Sequence, residues 1–190
     1  EPDKKSTDLW FIGDLHGDLL SFRALTAYAK HKSEADKKTA QFCFLGDLID
    51  DGPDAHLLLQ EFFRLLDKPA GETRFVSGNH DLALIFDEEA KSFASTVSPG
   101  DFAVWLNLQP PQSPWRDLAR QASRFFQAAP RALLFPDGTL VSHGGVPHTD
   151  LHAQLQNPAD LQTKQCLHDF TWLRAHPRAR RKVQIGRAHV

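Results

Sequence analysis

The sequence predicts an α/β fold built on a parallel sheet, and two observations lead there. Three times a short apolar run breaks at a glycine into a loop of acidic, histidine or asparagine residues, and each loop leads into a helix-forming segment. Repetition of that kind implies right-handed βαβ crossovers and parallel strands. In addition, 190 residues with 41% apolar content can bury a core, so one domain over 1–190 is expected.

The first unit is LWFIG (9–13), which opens into DLHGD before an amphipathic helix from about Leu19 to Lys30. The second, FCFLG (42–46), runs into DLIDDGPD and then into HLLLQEFFRLL (56–66). The third, RFVSG (74–78), passes through NHD into a helix expected from about Leu82. The stretch 95–115 is rich in Pro and Ser and reads as an irregular excursion carrying Trp105 and Trp115. WRDLARQASRFFQAA (115–129) has helical periodicity, with Pro130 beyond it. In ALLFPDGTLVSHGG (132–145), Pro-Asp-Gly joins two apolar runs and predicts a hairpin. Residues 148–182 are polar and weakly periodic, and KVQIG (182–186) reads as a last short strand.

Composition excludes several classes. Twenty-two basic against 24 acidic residues is too balanced for a nucleic-acid partner or a membrane-surface protein. No apolar stretch approaches the roughly 18–20 residues of a membrane span, and the first residues lack the pattern of a signal peptide. Cys43 and Cys166 form no metal-type pair. Cys43, inside an apolar run, is expected to be a buried free thiol, which fits a cytoplasmic location.

The chemistry lies in the loops. Asp14 and His16, Asp47, Asn79 and His80, and His143 each follow a strand, where open α/β sheets place their ligands. Oxygen and imidazole donors without thiolate suit Mn, Fe or Zn rather than a structural zinc of the cysteine type. Carboxylates aimed at one another repel, so Asp47, Asp50, Asp51 and Asp54 call for cations. Two divalent ions about 3.5–4 Å apart would answer that need and suit phosphate ester hydrolysis.

GDLHGD (13–18), GDLIDDG (46–52), GNHD (78–81) and SHGG (142–145) resemble the GDxHG, GDxxDRG, GNH[DE] and HGG blocks of the calcineurin-like metallophosphoesterases. The nearest likeness is to the phosphoprotein (Ser/Thr) phosphatase branch with its bacterial-type members, and the blocks reach from 13 to 189. The resemblance implies a β-sandwich of two mixed sheets flanked by helices, with the metals at the sheet edges. It places Asp14 and His16 on a first ion, Asp47 between two, and Asn79 and His143 on the second, with Mn the foremost choice. His80 would be the general acid, oriented by Asp50; a carboxylate on an imidazole fixes its tautomer and favours its protonated form.

One more histidine is needed for the second ion. RAH occurs at 174–176 and 187–189, and His189 is favoured because it follows a strand-like run, whereas His176 ends a helix-like segment before Pro177. The family continues past this histidine into closing strands, so either the chain runs on beyond Val190 or the sheet is truncated at its carboxyl end.

One departure matters. The family carries an arginine after the orienting Asp, where it grips the substrate phosphate; here the residue is Asp51. Asp51 must turn away or be offset by Arg174, Arg178, Arg180 or Arg181, of which Arg174, Arg178 and Arg181 are expected to bind substrate. The implied activity is metal-dependent hydrolysis of phosphomonoesters on a phosphorylated protein or small molecule. The alternative is hydrolysis of dinucleoside polyphosphates or other nucleotides, and a third reading is a binding module that has lost activity.

Overall fold

The computed structural model describes residues 6–68, 73–145 and 164–173. Three parallel strands, β1 (Thr7–Ile12), β2 (Thr39–Phe44) and β3 (Thr73–Phe75), form a sheet in the order β1-β2-β3. Helices α1 (Leu19–Ala35) and α2 (Ala55–Leu66) are the crossovers. A three-residue helix-free span cannot join parallel strands; a helix-length connection can, and both intervals supply one.

Period-two alternation sorts the strand side chains onto two faces. Ile12, Phe42, Phe44 and Phe75 join Phe22 of α1 and Leu58, Leu59 and Phe62 of α2 in the main core. The Phe44 ring lies 5.7 Å from Phe22 and 5.3 Å from Phe62, in stacked and edge-on contacts. Cys43, Leu45 and Val76 point the other way and pack with Val141, Leu133 and Phe135. Burial pushes the Cys43 thiol up to about 11, as expected of a buried free thiol.

The residues on that second face belong to the antiparallel hairpin of β6 (Ala132–Leu134) and β7 (Leu140–Ser142). Its turn matches the Pro-Asp-Gly reading: Asp137 Oδ1 accepts the Thr139 amide. The result is an α/β arrangement in which helices α1 and α2 cover one face of the parallel sheet and the hairpin packs on the other. Each sheet among the described residues is of one kind, parallel from crossovers or antiparallel from hairpins, rather than mixed.

Three segments depart from the sequence reading. The helix expected from Leu82 is instead a five-residue turn of helix, α3 (Asn79–Ala83), running into a hairpin of β4 (Leu84–Asp87) and β5 (Ser92–Ser95). Asp87 Oδ1 accepts the amides of Glu89 and Ala90 and makes the turn, and Phe86 meets Phe93 across the strands at 4.8 Å. The excursion holds a helix, α4 (Asp101–Asn107), before α5 (Pro114–Ala128), whose Ser113 cap accepts the Trp115 amide. A further helix, α6 (Lys164–Trp172), interrupts the weakly periodic stretch. The expected strand KVQIG and both RAH blocks lie outside the described residues. No helix among the described residues is long and apolar enough to cross a membrane.

Candidate metal centre

Register brings the loops together. Ile12 pairs with Phe44 and Phe44 with Phe75, so the three strands end level and the loops after them start side by side. The amides of Leu15 and His16 donate to the Asp47 carbonyl at 3.0 and 2.9 Å, and Gly17 N–H donates to Leu48 O at 2.9 Å. The first two loops are thereby laced into one surface.

The lacing requires unusual backbone. His16, Asp47, Asp50 and Asp51 have φ of 45°, 54°, 66° and 61°, in the left-handed region that non-glycine residues rarely enter. Such strain gathers where surrounding contacts force a functional geometry. Gly46, at φ 94°, passes so close to the third loop that a Cβ there would lie 2.2 Å from Gly78 N.

Asp47 is the hub. It is 1% exposed, and its Oδ1 accepts the His80 amide at 2.9 Å. Its Oδ2 lies 3.2 Å from His143 Nε2 and 3.8 Å from His16 Nε2. Burial works against its ionisation, but the His143 contact and the His80 amide outweigh that and hold its carboxyl below the usual range. Two groups of converging ligand atoms share it: His16, Asp47 and His80 on one side, and Asp14, Asp47 and His143 on the other. Asp14 Oδ1 lies 3.7 Å from His143 Nδ1.

The donor set itself tests whether a cation fits. His143 Nδ1 donates to the Leu45 carbonyl at 2.8 Å, because a carbonyl can only accept. That leaves Nε2 facing Asn79 Oδ1 at 3.0 Å and Asp47 Oδ2 at 3.2 Å. Both are acceptors in this orientation of the Asn79 amide, and a proton on Nε2 or a metal ion among the three would satisfy them. Burial lowers the tendency of His143 to protonate, yet Asp47 overcomes it and the net shift is upward. Nitrogen and oxygen donors fit a divalent ion of the Mn, Fe or Zn kind.

His80 and Asp50 form a separate contact at the edge of this centre. His80 Nδ1 meets Asp50 Oδ2 at 2.8 Å, and the His80 ring stands edge-on to His16 with centroids 5.0 Å apart. Burial raises the Asp50 pKa against the lowering pull of His80 and the Phe102 amide. Asp51 is half exposed, with Oδ2 3.7 Å from His16 Nδ1, so it does not turn away from the site. His189, Arg174, Arg178 and Arg181, like Arg180 and His176, lie outside the described residues.

Sequence reasoning overlooked Asp81. It is fully buried and accepts the amides of Asp47 (2.7 Å), Gly78 (2.9 Å) and Leu48 (2.9 Å), tying the second loop to the third. Burial and the charge of Asp47 push its carboxyl up to about 7 despite those three donors. The signal was the last letter of GNHD. Trp105 and Trp115 enclose the His56 ring, at 4.6 and 4.8 Å.

The family model for calcineurin-like phosphoesterases matches residues 7–189. The chain belongs to that family. Two curated relatives, from Pectobacterium atrosepticum and Pectobacterium carotovorum, are each named symmetrical bis(5'-nucleosyl)-tetraphosphatase and are 37% identical over 76 residues. The match takes in 40% of this chain but only 24% of the relatives' length. Among solved structures, a Saccharomyces cerevisiae serine/threonine phosphatase superposes with a TM-score of 0.53 at 18% identity, covering 90% of this chain and 50% of that one. At that identity the likeness is one of fold.

Proposed function

We propose that the chain is a phosphoesterase that works with two divalent ions. The observation that carries this reading is the sharing of Asp47 Oδ2 between two groups of converging ligand atoms. Asp14, His16, Asp47, Asn79 and His143 would hold the ions, with His189 as the further ligand. When bound, the ions supply positive charge to the attacked phosphoryl group and acidify water for the attack.

The chain's own residues do the rest. Asp50 fixes the His80 ring through Nδ1, so that Nε2 is the atom that hands a proton to the leaving oxygen. The Leu45 carbonyl keeps the His143 proton on Nδ1 and its Nε2 directed at Asp47 and Asn79. Arg174, Arg178 and Arg181 are proposed to bind the substrate phosphate.

Phosphomonoesters, on proteins or small molecules, are the first substrate class the motifs suggest. A second reading, cleavage of dinucleoside polyphosphates, is favoured by two observations. Asp51 presents a half-exposed carboxylate beside His16, which repels the dianionic phosphoryl group of a monoester more than the singly charged phosphorus attacked in an anhydride. The curated relatives also carry a tetraphosphatase name.

The test is a substrate panel with Mn added: p-nitrophenyl phosphate, phosphopeptides and dinucleoside polyphosphates. Mn-dependent turnover of at least one, lost in Asp47→Asn, is expected. Turnover without metal, or none with any substrate, would overturn the proposal.

A further inference from the structure

Asp50 uses both oxygens. Oδ2 holds His80, and Oδ1 accepts the Phe102 amide at 3.1 Å. One residue along, the traffic reverses: the Asp51 amide donates to Asp101 Oδ1, also at 3.1 Å. Residues 50–51 and 101–102 therefore form a reciprocal clasp, two hydrogen bonds joining segments about fifty residues apart in the chain.

The clasp has a rigid backing. Phe102 is 5% exposed and stacks on Trp105 with centroids 5.9 Å apart. Trp105 in turn stacks on His56 of the first turn of α2 at 4.6 Å, and His56 meets Trp115 of α5 edge-on at 4.8 Å. This aromatic run ties α4 to both neighbouring helices, so α4 cannot drift from the loop without unpacking it. Asp50 and Asp51 also sit at φ of 66° and 61°, and outside contacts must hold such backbone in place.

We infer that Asp101 is a positioning residue, which acts through the clasp to fix Asp50 and thereby aim His80 at the leaving group. This rests on the proposed acid role of His80. Asp101 holds the Asp51 amide, and with it the strained 50–51 backbone against the Phe102 amide; when that backbone loosens, the Asp50 carboxylate shifts and the imidazole it holds shifts with it. The loss should appear only where the leaving oxygen needs a proton. A nitrophenolate leaves readily as the anion, whereas phenolate is more basic and depends on the acid.

The experiment compares kcat for p-nitrophenyl phosphate and phenyl phosphate with Mn, using the whole chain. Asp101→Ala removes the acceptor and should slow phenyl phosphate roughly tenfold more than p-nitrophenyl phosphate, the scale of one lost hydrogen bond. Asp101→Asn keeps an Oδ1 acceptor without the charge and should retain the native ratio. An Asn variant as perturbed as the Ala one, or an Ala variant that slows both substrates equally, would overturn the inference.

Amide hydrogen exchange gives a second readout that needs no turnover. The Asp51 and Phe102 amides should lose protection in Asp101→Ala and keep it in Asp101→Asn; protection kept in Asp101→Ala means there is no clasp. The reading beneath is separated by His80→Asn. If that variant slows both substrates alike, the acid role fails and takes the catalytic meaning of the clasp with it, while exchange still decides whether the clasp exists.

Discussion

Replacing Gly78 by alanine probes the hub with one added methyl group. Gly78 has φ −86°, which alanine adopts freely, so the substitution brings no dihedral strain of its own. The added Cβ would fall 2.1 Å from Asp47 Oδ1, 2.5 Å from Asp47 N and 2.8 Å from Asp47 Cγ, where ordinary contact begins at 3.4 Å. The Asp47 carboxylate must therefore retreat by more than about 1 Å, a misplacement that costs on the order of 100-fold in rate at an active site. Its main chain cannot absorb the shift cheaply, because its amide is held by Asp81 and its carbonyl by Leu15 and His16. Overpacking of this kind costs about 1–3 kcal/mol of stability, so a folded variant is expected. Titration calorimetry with Mn should show weakened binding of both ions, and kcat/KM should fall by about two orders of magnitude. Native Mn stoichiometry and affinity in a folded Gly78→Ala protein would refute the reasoning.

Other perturbations test separate parts of the account. Asp51→Arg restores the family's phosphate grip at a half-exposed position and should lower KM for a phosphomonoester; a charge-assisted pair is worth about 1.5–3 kcal/mol, or roughly 10- to 100-fold, and an unchanged or raised KM would mean that this loop does not face substrate. Chelation should abolish hydrolysis and lower Tm, and Mn at about 100 times its Kd should return about 2.7 kcal/mol of stability in a thermal scan. Phe44→Ala opens a cavity among Phe22, Phe42 and Phe62 and should cost about 3–5 kcal/mol in urea denaturation, with metal binding a separate readout.

How far the sequence alone reached can be judged residue by residue. The parallel core was legible because Phe42 and Phe44 alternate with Cys43, and because helix-length intervals follow strands that end in glycine. The convergence of Asp14, His16, Asp47, Asn79, His80 and His143 followed from their shared place at strand ends. The β4–β5 hairpin was hidden because LALIFDEEAKSF carries no Gly or Pro at its turn; the Asp87 side chain supplies the turn instead. α4 was hidden by the Pro and Ser around it, although Gly100-Asp101 has the form of a helix start. Periodicity carries no information about Asp81, whose partners are backbone amides of two loops.

Crystals grown with Mn, measured at the Mn absorption edge, would decide the matter. Two anomalous peaks about 3.5–4 Å apart, both contacting Asp47, are expected, with Asp14, His16, Asn79 and His143 around them. A lone peak away from Asp47, or none at all in protein saturated with Mn, would contradict the proposed centre and the hydrolysis that depends on it.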